Sequence, residues 1–383
     1  MIGQDLRYLI PAAMDHVYLN AAVIGPTPMS ALTAATAAEL EWQEVGPGHL
    51  PFYQGVRVEA SRFQQRLQSL FPGGSVHLAY THRQALMIVF YGMQWAPGDA
   101  IVTTDQEDAT MLGAILEVAR RFRLRVSILK VGQGDYLDQL EAALDASTRL
   151  VAVSHVSAET GWALAMADVA ERLKPWPRVR LLVDGAHAWG HIDLDIEATG
   201  ADFYVLCGHK WLMAPPPAAA LWVRHFRAGE LLTISPDEDR EQRLTRLQAL
   251  DWTIQGTQLS APAIQPWPRL VGWGVCVDYF EEEGFGQHTA YHFELANELR
   301  TAIKDLKQVE VLDPKDPSMR TSLVVIRSRV LATKDFAERL WSQNIFVHPL
   351  SGERGIRASW ASFNTQDDVQ SLLQGIEAAH FTA

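Results

Sequence analysis

The sequence contains little of what several large classes of protein require. Two cysteines in 383 residues, Cys207 and Cys276, are too few for a disulfide framework or a cysteine-rich zinc site. Acidic residues outnumber basic ones by 45 to 33, and no basic cluster with interleaved aromatic residues occurs. The sequence contains no uncharged apolar run of about 18 residues, the length that a membrane-spanning helix needs. We therefore expect no metal, no nucleic-acid partner and no membrane partner.

The amino-acid composition is typical of a globular protein. Hydrophobic residues make up 48% of the chain, with 12 tryptophans, which is enough for a sizeable core. The first residues, MIGQDLRYLIPAAMDH, carry Asp5 and Arg7 and lack the apolar core of a signal peptide. Neither G-x-G-x-x-G nor a P-loop occurs, which disfavours a nucleotide-binding α/β protein. We predict a cytoplasmic location.

From about residue 75, short β-rich runs alternate with longer stretches of helical periodicity, for example ATMLGAILEVARRF at 109–122. This alternation predicts an α/β fold with a seven-stranded, mostly parallel sheet. The predicted strands are SVHLAY (75–80), AIVTTD (100–105), RVSILKV (125–131), TRLVAVSHV (148–156), VRLLVDGA (179–186), ADFYVLCG (201–208) and AAALWVR (218–224).

The C-terminal part predicts a second, smaller α/β unit. A long helical stretch, roughly 267–306 and broken by EEEGFGQHT, precedes further strand and helix patterns that continue to the end. We predict an N-terminal segment over 1–20, a large domain over 21–265, and a small C-terminal domain over 266–383 that includes the long linking helix.

Two predicted strands end in charged residues of opposite sign. Asp184 follows the apolar run LLV, and Lys210 follows FYVLCGH. A buried charge without a partner costs several kcal/mol, so such groups stand at the wet end of a strand or face a partner. In parallel α/β sheets ligands bind outside the carboxyl ends of the strands. The sequence therefore predicts one ligand site that contains both residues.

The segment VDGAHAWGHIDLDIEATGADFYVLCGHKW resembles the cofactor segment of the class V aminotransferase family, whose members are pyridoxal 5′-phosphate (PLP) enzymes of fold type I. Three other segments resemble the family in the expected order: VYLNAAVIGPTPMSAL (17–32), IQGTQLSAPAI (254–264) and GIRASWASFNTQDDV (355–369). The resemblance implies a fold type I architecture, PLP as the cofactor, and a homodimer with a shared active site.

The resemblance also implies roles for the residues at the strand ends. Lys210 would form a Schiff base with the PLP aldehyde and then shuttle the Cα proton of the substrate. Asp184 would keep the pyridine nitrogen protonated, so that the ring accepts electrons. His187 would lie beside the ring, near its phenolic oxygen, and His209 is a further cofactor-side candidate. The structural alternatives are a surface lysine at 210 and a core histidine at 187.

The phosphate and substrate contacts follow from the other segments. Thr81 and His82 stand at a predicted helix N-terminus, where a phosphate binds, and the resemblance assigns this turn to the PLP phosphate. Thr257 would reach the phosphate from the neighbouring subunit, unless it belongs to an ordinary Gly-Thr turn. Arg357 would grip the substrate α-carboxylate as a planar, bidentate donor, unless it is an edge-strand arginine. Asn20 is a second substrate-side candidate.

Four positions depart from the family pattern. Asp108 (or Glu107) stands where an imidazole stacks on the pyridine, and Ala158 or Glu159 replaces an asparagine. Cys207 replaces the hydroxyl residue before Gly-His-Lys, and a thiol is a weak donor to phosphate. The fourth departure is the bulky His-Arg-Gln sequence after Thr81, in which Arg83 either adds charge to the phosphate or is solvated. PLP is expected to bind, with altered affinity or tuning.

The expected reaction is β-elimination on a small α-amino acid, with cysteine or cystine as the model substrate. The C-terminal region NIFVHPLSGERGIRASW has no cysteine, so a desulfurase that carries sulfur as a protein persulfide is not expected. Lys210 would remove the Cα proton, the β-substituent would leave, and the aminoacrylate would hydrolyse to pyruvate. The alternatives are an aminotransferase, an epimerase, and a non-catalytic binding protein that keeps the fold.

Overall fold

The computed structural model describes residues 1–225, 227, 231, 240–249 and 266–381. Its centre is a seven-stranded sheet with the order β2-β8-β7-β6-β5-β3-β4. All neighbouring strands are parallel except for β8, which runs antiparallel to both β2 and β7. The seven predicted strands and the mostly parallel sheet are confirmed. Along the chain the strands are β1 (Val17–Tyr18), β2 (Gly74–Ala79), β3 (Ala100–Thr104), β4 (Arg125–Leu129), β5 (Thr148–Ser154), β6 (Arg180–Asp184), β7 (Phe203–Cys207), β8 (Ala219–Arg224), β9 (Val309–Val311), β10 (Leu323–Ser328), β11 (Ile345–Phe346), β12 (His348–Pro349) and β13 (Ile356–Ser359).

Helices lie between the strands and at both ends of the described chain. The helical periodicity in the sequence predicted α6 over its whole length, and Gly284 divides the long helical stretch after residue 266 into α10 and α11. In chain order the helices are α1 (Gln4–Arg7), α2 (Pro11–Asp15), α3 (Met29–Val45), α4 (Leu50–Leu70), α5 (His82–Gly92), α6 (Ala109–Phe122), α7 (Tyr136–Ala143), α8 (Met166–Leu173), α9 (Arg240–Ala249), α10 (Trp267–Glu283), α11 (Phe285–Ala302), α12 (Thr333–Trp341) and α13 (Gln366–Phe381).

The large sheet is buried on both faces. Successive residues of a strand point to opposite faces, and β5 shows the result: Val151 and Val153 belong to one apolar cluster, while Leu150 and Ala152 belong to another. All four side chains are at most 2% exposed. Strands buried on both faces read as continuous apolar runs, which explains why LVAV and LLV are uninterrupted in the sequence. Polar residues can therefore enter only at the strand ends.

The C-terminal part forms a four-stranded antiparallel sheet with the order β12-β13-β10-β9. Its core is a third apolar cluster, to which α11, α12 and α13 contribute. The N-terminal segment joins this part of the fold, because β1 pairs with β11 and Asn20 forms a bridge with Ser359. The domain boundaries at 20/21 and 265/266 stay predictions. Among the described residues, no helix is both long enough and apolar enough to cross a membrane.

Candidate active site

Polar side chains gather at the carboxyl edge of the large sheet. Asp184 is the last residue of β6, Cys207 is the last residue of β7, and Thr81 follows the end of β2. These three strands are parallel to one another, so their carboxyl ends meet at one edge. Lys210 follows β7 by three residues. The structure therefore brings the two oppositely charged strand exits together, as the sequence predicted.

Asp184 is a buried carboxylate with two donors. Its side chain is 4% exposed, Oδ1 accepts from the Ala186 amide at 2.9 Å, and Oδ2 lies 2.7 Å from Nε2 of His82. Burial by itself would raise the pKa of Asp184, but the charge and hydrogen bond of His82 and the charge of Lys210 bring it below the ordinary value. Asp184 is therefore held as a carboxylate at neutral pH.

Lys210 is buried next to an imidazole. It is 9% exposed, so the surface-lysine alternative is wrong. Its Nζ lies 2.9 Å from Nε2 of His187. Burial, together with the nearby charges of Lys210 and Arg357, lowers the pKa of His187 well below its ordinary value. His187 is therefore neutral, and its Nε2 accepts from the ammonium group. Its buried Nδ1 has no hydrogen-bond partner within the described part of the chain, so a core histidine with all its bonds made is also excluded.

The N-terminal loop closes over the backbone of the lysine. The Gly25 amide donates to the carbonyl of His209 at 2.8 Å, and a Cβ atom added at Gly25 would overlap the carbonyl oxygen of Lys210. Only glycine allows so close an approach. His209 itself is bound by its Nδ1 to the Ala218 carbonyl at 3.1 Å. The segment VYLNAAVIG therefore packs against the backbone of Lys210 through Gly25.

The predicted phosphate turn is a capped helix N-terminus. Thr81 is the N-cap of α5, and its hydroxyl accepts from the Gln84 amide at 3.1 Å. The hydroxyl hydrogen of Thr81 and the amides of the first helical turn are donors that a phosphate requires. The ring of His82, however, lies at Asp184, so the structure places it beside the carboxylate. Thr257 lies outside the described residues.

Asp108, which was predicted to contact the cofactor ring, caps a helix in the structure. It is the N-cap of α6, and its Oδ1 accepts from the Met111 amide at 2.7 Å. Its neighbour Glu107 is the buried member of the pair at 3% exposure. The sequence contained a signal for this arrangement, since an aspartate directly before the helical run ATMLGAIL is a typical N-cap. Glu107, the alternative to Asp108 at this position, is therefore the carboxyl group that turns into the protein.

The substrate-side candidates lie on the C-terminal sheet and the N-terminal loop. Arg357, on β13, is 5% exposed, its Nη1 donates to the Ala158 carbonyl, and burial lowers its pKa to about 10. Its Nε and the Oδ1 of Asn20 are buried atoms without a partner among the residues described. Since the charge of Arg357 lowers the pKa of His187, the guanidinium lies within electrostatic reach of the Lys210–His187 pair. It is therefore not an ordinary edge-strand arginine.

These features fit PLP. The cofactor needs a buried amine, a carboxylate, an anion-binding turn and polar contacts for its substituents, and the edge offers Lys210, Asp184 and the α5 N-terminus. The unpartnered atoms of His187, Asn20 and Arg357 show that the described side chains leave hydrogen bonds open for a ligand and its substrate.

Replacing Cys207 with serine is expected to lower the dissociation constant of PLP several-fold. Burial raises the pKa of the Cys207 thiol to about 12, so it stays protonated and offers only a weak donor, whereas a hydroxyl donates well to phosphate. An absorbance titration of the cofactor-free chain with PLP measures the constant. The control is Cys276→Ser, at a buried thiol on α10. If the dissociation constant of PLP falls equally in both variants, or does not fall in Cys207→Ser, Cys207 does not contact the phosphate.

Comparison with known proteins gives a consistent picture. The sequence profile of the class V aminotransferases matches residues 79–372. A probable cysteine desulfurase of Methanothermobacter thermautotrophicus is 25% identical over 419 residues, which cover 98% of each chain. The isopenicillin N epimerase of Streptomyces clavuligerus is 29% identical over 312 residues, or 74% of each chain.

Solved structures show the same fold. A lysine-to-alanine variant of C-DES, with glycine covalently linked to its PLP cofactor, superposes with a TM-score of 0.87 at 23% identity and covers 98% of this chain and 99% of that one. A complex of the cystine C–S lyase C-DES with its reaction product, cysteine persulfide, gives a TM-score of 0.86 at 23% identity, with 97% and 99% coverage. At this level of identity the likeness establishes the fold.

Proposed function

Because the chain belongs to the class V aminotransferase family and is a PLP-dependent enzyme, we propose that it cleaves the C–S bond of a small cysteine-type amino acid by β-elimination. Support for the substrate type comes from relatives described as cysteine desulfurases and from a similar structure described as a cystine C–S lyase. The family assignment favours the enzyme over the non-catalytic binding protein.

One observation favours elimination over desulfuration through a protein persulfide. The whole sequence has two cysteines, and both are buried: Cys207 is 1% exposed and Cys276 is 0% exposed. Burial raises the pKa of both thiols, so neither is a thiolate at neutral pH. A sulfur acceptor must be an accessible thiolate. The burial of both thiols therefore supports release of the sulfur with the product over its transfer to the enzyme.

The residues at the carboxyl edge of the large sheet have separate roles in this reaction. Bound PLP supplies an electron sink for the negative charge left when the substrate loses its Cα proton. The amine of Lys210 takes that proton, and His187 Nε2 orients the amine by hydrogen bonding. Arg357 holds the α-carboxylate through its guanidinium. The Cβ–S bond breaks with both electrons going to sulfur, and the released aminoacrylate hydrolyses to pyruvate and ammonia.

The proposal is tested by the products. With cystine as substrate and no keto-acid acceptor, pyruvate should form continuously, measured by coupling to lactate dehydrogenase, together with cysteine persulfide in solution. The intact mass of the enzyme after turnover should show no added sulfur. Turnover that requires a keto-acid acceptor, and that yields the sulfur-containing keto acid of the substrate in place of pyruvate, would identify an aminotransferase. Exchange of the Cα proton with inversion and no pyruvate would identify an epimerase.

Replacing Arg357 with lysine is expected to raise the KM of the amino acid by roughly 10- to 100-fold, with a smaller change in kcat, because lysine keeps the charge but loses the bidentate geometry. Steady-state kinetics on cystine and cysteine measure both constants. The matched control is Arg354→Lys in the connection before β13, whose side chain is 42% exposed and paired with Glu159. Equal effects of the two variants would argue against a carboxylate contact at Arg357.

The homodimer is a further part of the proposal. Several large apolar side chains of the N-terminal loop and α3 are exposed on the single chain: Val23, Ile24, Met29, Leu32 and Leu40. A second copy of the chain would cover such a surface, and the resemblance to the family assigns Thr257 of one subunit to the phosphate of the other. Light scattering on the purified protein should give twice the mass of the chain. A stable monomer with full turnover would contradict the shared site.

A further inference from the structure

Two titratable side chains that the mechanism does not use interact with Asp184. His82 comes from the first turn of α5 and places Nε2 2.7 Å from Asp184 Oδ2, with its side chain 11% exposed. Glu107 comes from the turn between β3 and α6. Its Oε1 accepts from the Thr104 hydroxyl at 2.5 Å and its Oε2 from the Ser154 hydroxyl at 2.6 Å. Ser154 is the register partner of Asp184 on the neighbouring strand.

His82 and Glu107 act on Asp184 with opposite sign. The charge and hydrogen bond of His82 lower the pKa of Asp184. Burial, and then the charge of Asp184, raise the pKa of Glu107 to about 7, and this repulsion is mutual. The groups that interact with Asp184 from the packed elements are the Ala186 amide, His82, Lys210, Glu107, Tyr204 and Cys207.

We propose that His82 and Glu107 are positioning residues that set, with opposite sign, how tightly Asp184 holds the proton of the cofactor ring nitrogen. The inference rests on the proposed function, in which Asp184 faces that nitrogen. A hydrogen bond from His82 withdraws charge from the carboxylate and makes it a weaker partner for the ring proton. The carboxyl group of Glu107 adds negative potential at Asp184, so Asp184 holds the proton of the ring nitrogen more tightly. The balance fixes how strongly the ring draws electrons during removal of the Cα proton.

The test measures the ring proton directly on the holoenzyme. PLP labelled with ¹⁵N in the ring is bound, and the ¹⁵N chemical shift is followed against pH. In His82→Ala the proton affinity of the ring nitrogen should rise about tenfold, and in Glu107→Gln it should fall about tenfold. His82→Gln keeps an N–H donor at a similar reach, so its value should return toward that of the wild type.

Two matched variants control for the loss of a buried polar group in general. His77→Gln changes a half-buried imidazole on β2 that is bonded to Ser75. Asp202→Asn changes a buried carboxylate at the opposite end of the sheet, where it accepts from the Leu181 amide. Neither should alter the ring proton. The inference is wrong if the ring-proton affinity shifts in the same direction in His82→Ala and Glu107→Gln, or if it shifts in neither. In both cases the cofactor is still bound, so the proposed function is not contradicted. A wild-type protein that binds no PLP overturns both.

Discussion

Replacing Lys210 with alanine is expected to lower kcat/KM by a factor of about 10⁴ or more, because one side chain supplies both the attachment of the cofactor and the base for the Cα proton. The structure supports both duties: the amine is buried, and its contact is a neutral imidazole nitrogen at 2.9 Å. In the wild type, the visible band of bound PLP should disappear on borohydride reduction and leave a pyridoxyl group on Lys210. In the variant, position 210 carries no amine, so borohydride reduction should leave no pyridoxyl group there.

Three comparisons separate the duties of Lys210. Lys210→Arg keeps the positive charge but removes the nucleophilic amine, so it should be as inactive as the alanine variant. Added methylamine should restore part of the turnover of Lys210→Ala, because it supplies a neutral amine in the space left by the side chain. Lys174→Ala, at an exposed lysine paired with Glu171, should leave the kinetics unchanged. Wild-type turnover in Lys210→Ala would disprove the assignment of the active site.

The fold could be predicted because its signals are local. Runs such as LVAV and LLV are apolar on both faces, and the only fold that buries both faces of many short strands joined by helices is a parallel α/β sheet. Parallel strands have their carboxyl ends at one edge, so Asp184 and Lys210 could be assigned to one site without any coordinates. The burial of both residues agrees with that reasoning.

The contacts of the site were harder to predict, since they depend on side-chain direction. Glu107 and Asp108 are adjacent carboxylates, yet one accepts from two buried hydroxyls and the other caps a helix. The sequence contains the cap signal but not the packing that turns Glu107 inward. His82 was predicted as a phosphate contact because it stands at a helix N-terminus, whereas its ring reaches Asp184, 102 positions away in the chain. Such contacts depend on the distance between two elements, and no local pattern encodes that distance.

Lowering the pH from 7 to 5 is expected to destabilise the enzyme by roughly 5 kcal/mol, a large part of the stability of an ordinary protein. The cause is a cluster of four buried imidazoles: His187, His191, His288 and His292. In each of them one ring nitrogen is bonded and the other has no partner in the described part of the protein. In His191, His288 and His292 the bonded nitrogen donates to a carbonyl, so a proton added to the other nitrogen would be a buried N–H without an acceptor. In His187 the bonded nitrogen accepts from Lys210, so a proton added there would set two donors against each other.

The sign of the effect follows from the pKa values. Burial, before any other cause, lowers the pKa of His292 to about 3 and that of His288 to about 4, from 6.5, and it lowers those of His187 and His191 well below 6.5. The unfolded chain therefore takes up protons first as the pH falls below 6.5, and each histidine removes about 2 kcal/mol of stability by pH 5. Glu107 acts in the opposite direction: its pKa is raised to about 7, so it favours the folded state as the pH falls through that value.

Urea denaturation at pH 7.5, 6.5, 5.5 and 5.0 measures the effect, since the slope of stability against pH counts the protons taken up on unfolding. The diagnostic variant is His292→Gln, which keeps a donor for the Gly190 carbonyl but cannot titrate. The loss of stability between pH 7 and 5 should shrink by about 2 kcal/mol in this variant. Glu107→Gln should enlarge the loss, because it removes a group that opposes the histidines. A urea midpoint that stays constant from pH 7 to 5 would mean that the four imidazoles have partners or solvent in the folded state, and the buried-cluster explanation would be wrong.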